Sequence, residues 1–140
     1  MLRVSKMADY GTVVMVYLAE QRVLRNVSDI ALATHLAKPT VSKLVKRLAQ
    51  AGQLKSERGS RGGYRLSVAA EAISVADIIA AIEGKTGLTE CSLSSGNCTL
   101  EHVCHVREHW QLISQVVEQA LQNVSLKNLL SSSLRNISIG

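Results

Sequence analysis

The chain of 140 residues is 46% hydrophobic but only 3% aromatic, with no Phe, so it can bury one compact core and an extension but not two full domains. Such a core must be assembled from Leu, Ile, Val and Ala packed between helices, which favours a mainly α protein. No stretch approaches the roughly 20 apolar residues of a bilayer span and the first six residues lack a secretory leader's apolar run, so a cytoplasmic protein with no membrane partner is expected.

Taken in chain order, residues 8–20 read as a first helix, its start blurred by Gly11 and the β-branched pair Val13 and Val14. Ser28 is the expected N-cap of a second helix, with Asp29 in its first turn and Ile30, Ala31 and Ala33 packing inward. Pro39 suits the opening turn of a third helix. In it Val41, Leu44, Val45 and Leu48 recur at i, i+3, i+4 and i+7, the pattern of one buried stripe. Its opposite face carries Thr40, Ser42, Lys43, Lys46, Arg47 and Gln50, and Gly52 closes it.

Two short segments then flank a Gly-rich tip, Gly59-Ser60-Arg61-Gly62-Gly63, which reads as a β-hairpin. Ser74 caps a fourth helix from Val75 to Glu83, with Ile78, Ile79 and Ile82 closing the core. A polar loop follows over residues 87–104, and a long helix is expected from Glu101 onward. In that helix Val106, Trp110, Ile113, Val117, Ala120 and Val124 alternate spacings of four and three, an a/d seam that pairs with a second copy of itself. The expected parts are an N-terminal unit of helices and hairpin (1–84), a polar loop (85–104), a self-pairing helix (105–124) and a C-terminal segment (125–140).

Charge is concentrated in one place. Of a net +5, residues 38–65 hold eight Lys and Arg against Glu57 alone, while the rest of the chain is slightly acidic. Helix, short connection, basic helix and basic hairpin is the layout of a winged helix-turn-helix whose third helix enters the major groove. A solvated basic face is the bland alternative, but charge confined to both reading elements favours duplex DNA. Candidate contacts are Pro39, Thr40, Ser42 and Lys43 at the leading end of the helix, Lys46 and Arg47 toward phosphates, and Arg58, Ser60, Arg61 and Gly62 at the wing. A symmetric dimer would read a two-fold symmetric operator.

Cys91, Cys98 and Cys104 are the only cysteines and form C-x6-C-x5-C in one polar loop. In a reducing compartment such clustering points to metal ligation ahead of a disulfide framework or a thiol redox switch. His102, His105 and His109 lie near enough in sequence to complete a zinc site, yet the short C-x2-4-C pairing usual for zinc is absent. The wider spacing suits a larger object, an iron-sulfur cluster. Three thiolates leave a fourth position to be filled from elsewhere. A cluster or thiol enzyme acting on a small-molecule substrate is disfavoured, because the chain has no C-x-x-C pair, nucleotide-binding Gly loop or acid-base pair.

Nearly the whole chain resembles the dimeric winged-helix regulators that carry an iron-sulfur cluster, the IscR-like and NsrR-like transcription factors. The resemblance rests on Ser5-Lys6, on Arg58-Gly59-x-x-Gly62-Gly63-Tyr64, on the three-cysteine loop and on Val124-Ser125-Leu126. The opening Met1-Leu2-Arg3-Val4-Ser5-Lys6-Met7-Ala8-Asp9-Tyr10-Gly11-Thr12 and the run Cys104-His105-Val106-Arg107-Glu108-His109-Trp110 look most like the branch that regulates SUF iron-sulfur assembly genes.

The resemblance implies that the three cysteines hold the cluster, 4Fe-4S favoured over 2Fe-2S, and that holo and apo forms bind DNA differently. IscR-like members place a His three residues after the last Cys, where this chain has Arg107. NsrR-like members use an Asp near the N-terminus of the partner subunit; Asp9 matches it and is the preferred fourth ligand, with His105 next and Glu101 or His102 behind. A recognition-helix Glu that filters targets in IscR-like proteins is Ser42 here, which favours simple cluster-dependent repression over switching between operator classes.

Overall fold

The computed structural model describes residues 2–85, 87–94, 96 and 98–130. Of the C-terminal segment expected over 125–140, residues 131–140 lie outside the described residues, as does Met1 at the head of the opening motif. The chain folds in the order α1 (Lys6–Glu20), α2 (Val27–Thr34), α3 (Lys38–Gln50), β1 (Leu54–Glu57), β2 (Gly63–Leu66), a 3-10 turn (Ala70–Ala72), α4 (Val75–Glu83), α5 (Glu90–Leu93), α6 (Arg107–Gln122) and α7 (Leu126–Leu130). Among the described residues it is mainly α, with one antiparallel hairpin, as the scarcity of aromatics and the heavy Leu, Ile and Val content imply.

Helix α1 starts two residues earlier than its apolar pattern shows, because the Ser5 hydroxyl accepts from the Ala8 amide at 3.1 Å and caps the first turn. Gly11 is there for contact: a Cβ on it would stand 3.0 Å from Ile82 Cγ1 of α4, so its absence lets the two helices close. The cap of α2 is Asn26, whose side chain accepts from the Asp29 amide at 2.8 Å, and not Ser28, which is exposed within the first turn. The reason is tertiary. Arg25 is held extended by two backbone hydrogen bonds to Tyr64 of β2, so the helix can start only at the next residue.

Helix α2 buries Ile30 and Ala31, with Val27 and Thr34 half-buried, and leaves Ala33 exposed rather than packed inward. Helix α3 buries Val41, Leu44, Val45 and Leu48, the stripe that its period demands. It ends in a Schellman arrangement. Gly52 at φ 81° bonds back to Ala49 O and Gln53 bonds back to Leu48 O. The tight exit sends the chain straight into β1, whose register with β2 pairs Leu54 with Leu66 and Glu57 with Gly63.

Helix α4 carries a capping box in which Ser74 and Asp77 each accept the other's backbone N–H, and it buries Ile78, Ile79 and Ile82. The core is one cluster of Val14, Met15 and Leu18 of α1, the α3 stripe, Ile30, Ala31, Leu54, Ile73, Ile78 and Ile82. It has a further member far along the chain. After α6 the backbone returns to pair Ser125 with Ser74, and Leu126 is fully buried in the same cluster. Lys127 of α7 reaches Glu71 at 2.8 Å, and this hydrogen bond lowers the carboxyl pKa and raises that of the ammonium.

The long helix begins at Arg107, not Glu101. Residues 99–103 run as turns, since the Glu101 carboxylate accepts from the Gly96 amide and pairs with Arg107 instead of joining a helix. Truncating Leu126 to Ala should cost about 2 to 5 kcal/mol of unfolding free energy, read as a lowered urea midpoint. An unchanged midpoint would show that the returning segment is dispensable to the core.

Candidate nucleic-acid interface and cysteine loop

With the apolar stripe of α3 buried, its other face must point to solvent. Pro39, Lys43 and Lys46 are exposed there, and Thr40 and Ser42 are half-buried at its edge. The N-terminal turn has neither a side-chain cap nor an acidic residue. Its free N–H groups and the positive end of the helix dipole therefore face outward together, an arrangement that attracts phosphate oxygens.

The wing adds charge beside this helix. Arg58, Ser60 and Arg61 are exposed at its tip. Gly62 sits so close to the strand that a Cβ would come within 2.2 Å of Glu57 O, so only glycine allows the tip to fold. Lys55 and Arg65 face each other across the two strands, a like-charge pair that is unfavourable without a counter-anion. The Arg65–Glu57 contact, 3.6 Å and more than half exposed on both sides, does little to offset it. Lys55 and Arg65, both exposed, thus add to the charge of the wing, though neither was among the candidate contacts.

Arg47 departs from its neighbours. Its Nη1 donates to Ile82 O at 2.8 Å, turning the guanidinium toward the end of α4 and away from the basic surface.

The cysteine loop hangs between α4 and α6. Cys91 lies in the short helix α5, Cys98 and Cys104 in the turns after it, and all three are free and half-buried. One polar stripe of α6 holds the loop in place, residues at i, i+4 and i+7. Arg107 pairs with Glu101 at 2.5 Å, the Glu101 side chain being only 7% exposed; Gln111 Nε2 donates to Cys91 O at 3.0 Å; the Ser114 hydroxyl accepts from Leu88 N at 3.2 Å. Thr89 Oγ1 lies 3.1 Å from Cys91 Sγ and 2.8 Å from Ser92 Oγ. Gln111, Ser114 and Thr89 did not stand out in the sequence, because the apolar seam dominates the helix period; Glu101 and Arg107 did, but not as partners of each other.

Part of that seam lies open, while Val117 and Val124 are half-buried and Val124 lies past the end of α6. Val106, Trp110 and Ile113 are 51%, 41% and 43% exposed, and Ala120 is exposed with them. Asp9, in the first turn of α1, is exposed and its carboxylate makes no hydrogen bond or ion pair among the described residues. His102, His105 and His109 are exposed as well. Among the described residues no three His, Cys, Asp or Glu side chains converge on a single ion position. The donor set, three unpaired thiols on one loop, fits soft iron in a larger centre better than a hard cation.

Residues 4–132 match the family model Rrf2, iron-dependent transcriptional regulator. This chain belongs to the Rrf2 family. It is 28% identical over 109 residues to the transcriptional regulator NsrR of Bacillus subtilis, covering 76% of this chain and 75% of that one. The structure superposes on CymR, the global cysteine regulator of B. subtilis, with a TM-score of 0.73 at 30% identity, over 95% of this chain and 99% of that one. IscR of T. potens matches with a TM-score of 0.73 at 26% identity, over 99% of this chain and 94% of that one. The Rrf2 chain described here is a DNA-binding transcriptional regulator and not an enzyme. Among its described residues no helix is long and apolar enough to cross a membrane.

In this Rrf2 protein Glu101 organises the loop. Replacing it with Gln removes the charge that Arg107 and the Gly96 amide share, so Gly96 should lose about 1.5 to 3 kcal/mol of local protection. Amide exchange measures this; unchanged protection at Gly96 would mean that the loop is held by other contacts.

Proposed function

We propose that the protein is a homodimeric repressor of iron-sulfur assembly genes, acting in the cytoplasm, whose affinity for a two-fold symmetric operator depends on a cluster bound at its cysteine loop. The observation that carries this reading is the loop itself: three free thiols, strung between the end of α4 and the polar stripe of α6, in a family whose model is iron-dependent. Cys91, Cys98 and Cys104 are the proposed ligands, with 4Fe-4S favoured over 2Fe-2S, and the partner subunit's Asp9 is the proposed fourth. An exposed carboxylate free of other bonds supports that choice over Glu101, which Arg107 and Gly96 already engage. A cluster supplies iron that oxidants and nitrosating agents attack, which suits a sensor of iron-sulfur status or of oxidative and nitrosative stress.

Pairing of two α6 seams explains why Val106, Trp110 and Ile113 are left open in one chain. It also sets two basic faces on one side of the dimer, Thr40, Ser42, Lys43 and Lys46 toward the groove and Arg58, Ser60 and Arg61 along the backbone. Loop ligation then biases the separation of the two reading heads, a coupling between two sites through one geometry. The likeness to CymR supports a second reading, a winged-helix regulator of thiol metabolism that holds no cluster.

Anaerobic reconstitution with iron and sulfide decides between the two. The first reading requires a coloured protein with stoichiometric iron and sulfide, and Cys98→Ser should lose the cluster while keeping the helical circular dichroism of the wild type. A colourless wild-type product would support the second. Ile113→Glu places charge on the open seam and should convert a dimer to a monomer in sedimentation; a wild-type monomer would remove the seam from the argument.

A further inference from the structure

Three places outside the proposed site stand apart by their chemistry. A groove of about 550 Å³ between the N-terminal segment, α4 and α6 has an apolar floor, Ile79, Leu88, Val117 and Leu121, under charged Arg3, Glu83, Lys85 and Glu118, but nothing in it selects one occupant. The exposed Leu100 and Val103 on the cysteine loop are two isolated apolar side chains. The third, Arg47, makes a specific bond across the fold.

We infer that Arg47 is not a phosphate contact but a positioning residue, the tie that fixes the recognition helix α3 to the C-terminal end of α4, where the chain leaves for the cysteine loop. Three observations meet at that point. The Arg47 guanidinium donates to Ile82 O at 2.8 Å across 35 residues of sequence. That carbonyl is one of the last four of α4, which have no partner within the helix, while the Gly84 amide takes Ala80 O and not Ile82 O. A cation at this end also meets the negative pole of the helix. Finally, Arg47 is half-buried where its neighbour Lys46 is exposed, so the two basic residues point to different tasks.

The Ile82 side chain closes on Gly11 of α1 and shares one buried cluster with Leu44 of α3, so the end of α4 is packed together with α1 and α3. Gly84 at φ 79° then releases the backbone into the segment that ends at Cys91. A pull on the loop then reaches α3 through the Arg47–Ile82 bond. This transmission rests on the regulatory reading above; the contact itself does not.

The test compares Arg47→Gln with Lys46→Gln in the full-length protein, using a mixed-sequence duplex several helical turns long. Loss of a phosphate contact lowers the slope of log affinity against log salt by about 0.9. Lys46→Gln should show that drop. Arg47→Gln should keep the wild-type slope, lose about fivefold in affinity at every salt concentration, and speed amide exchange at Gly84 and Lys85, which Lys46→Gln leaves alone. A slope lowered as in Lys46→Gln, with exchange at Gly84 unchanged, would overturn the proposal.

Arg47→Lys keeps the charge and one donor; it should restore most of the protection at Gly84, and it replaces the Gln variant should that one fail to fold. Reconstitution adds the regulatory arm. The ratio of duplex affinities with and without the cluster should fall toward one in Arg47→Gln, and a full wild-type ratio in that variant refutes transmission through Arg47. If the wild-type ratio is itself one, the regulatory reading fails, and exchange at Gly84 still decides the contact.

Discussion

The end of α4 is the point on which the architecture turns. Ile82 packs its side chain into the space that Gly11 leaves open on α1 and joins the cluster that holds Leu44 of α3, while its carbonyl takes the Arg47 guanidinium. Three helices are thereby fixed at one residue, two steps before Gly84 lets the chain go. Close packing of this kind transmits displacement because a core at crystal-like density has no slack to absorb it. The basic face of α3 and the cysteine loop are therefore both referred to one rigid corner.

Helix α6 divides its surface between two jobs at different angles. Arg107, Gln111 and Ser114 point back at the cysteine loop and bond to it, and Val106, Trp110 and Ile113 stand open beside them. A change in the loop acts on the same rigid rod that carries the open seam, so loop order and the pose of α6 cannot vary independently. The return of the chain through Ser125 and the buried Leu126 anchors the far end of that rod to the winged-helix core. The loop is thus held at both ends by elements of one core, at its root by α4 and along its length by α6.

Arg107 shows how a departure from a family pattern can be read physically. Where IscR-like regulators carry a His, a guanidinium cannot ligate iron, since it remains protonated and has no lone pair to give. It pairs instead with Glu101, whose side chain is almost wholly buried. The one acid at that bend of the loop is thereby occupied by an ion pair and by the Gly96 amide.

Much of this was legible without coordinates. The i, i+3, i+4, i+7 stripe of α3, the Ser74 cap and length of α4, the Gly-tipped hairpin, and the local concentration of Lys and Arg all follow from period, capping chemistry and charge, which act over a few residues and leave their mark in the order of the chain. Tertiary structure decided what depends on partners far along it. Tyr64 pairs with Arg25 and moves the α2 cap to Asn26; Glu101 takes Arg107 and delays α6; the α4 end takes Arg47 out of the row of basic residues that period alone assigns to one face. Hydrogen bonds and ion pairs spend the same donors that local pattern reasoning gives to solvent or ligand, and only the folded chain shows which use wins.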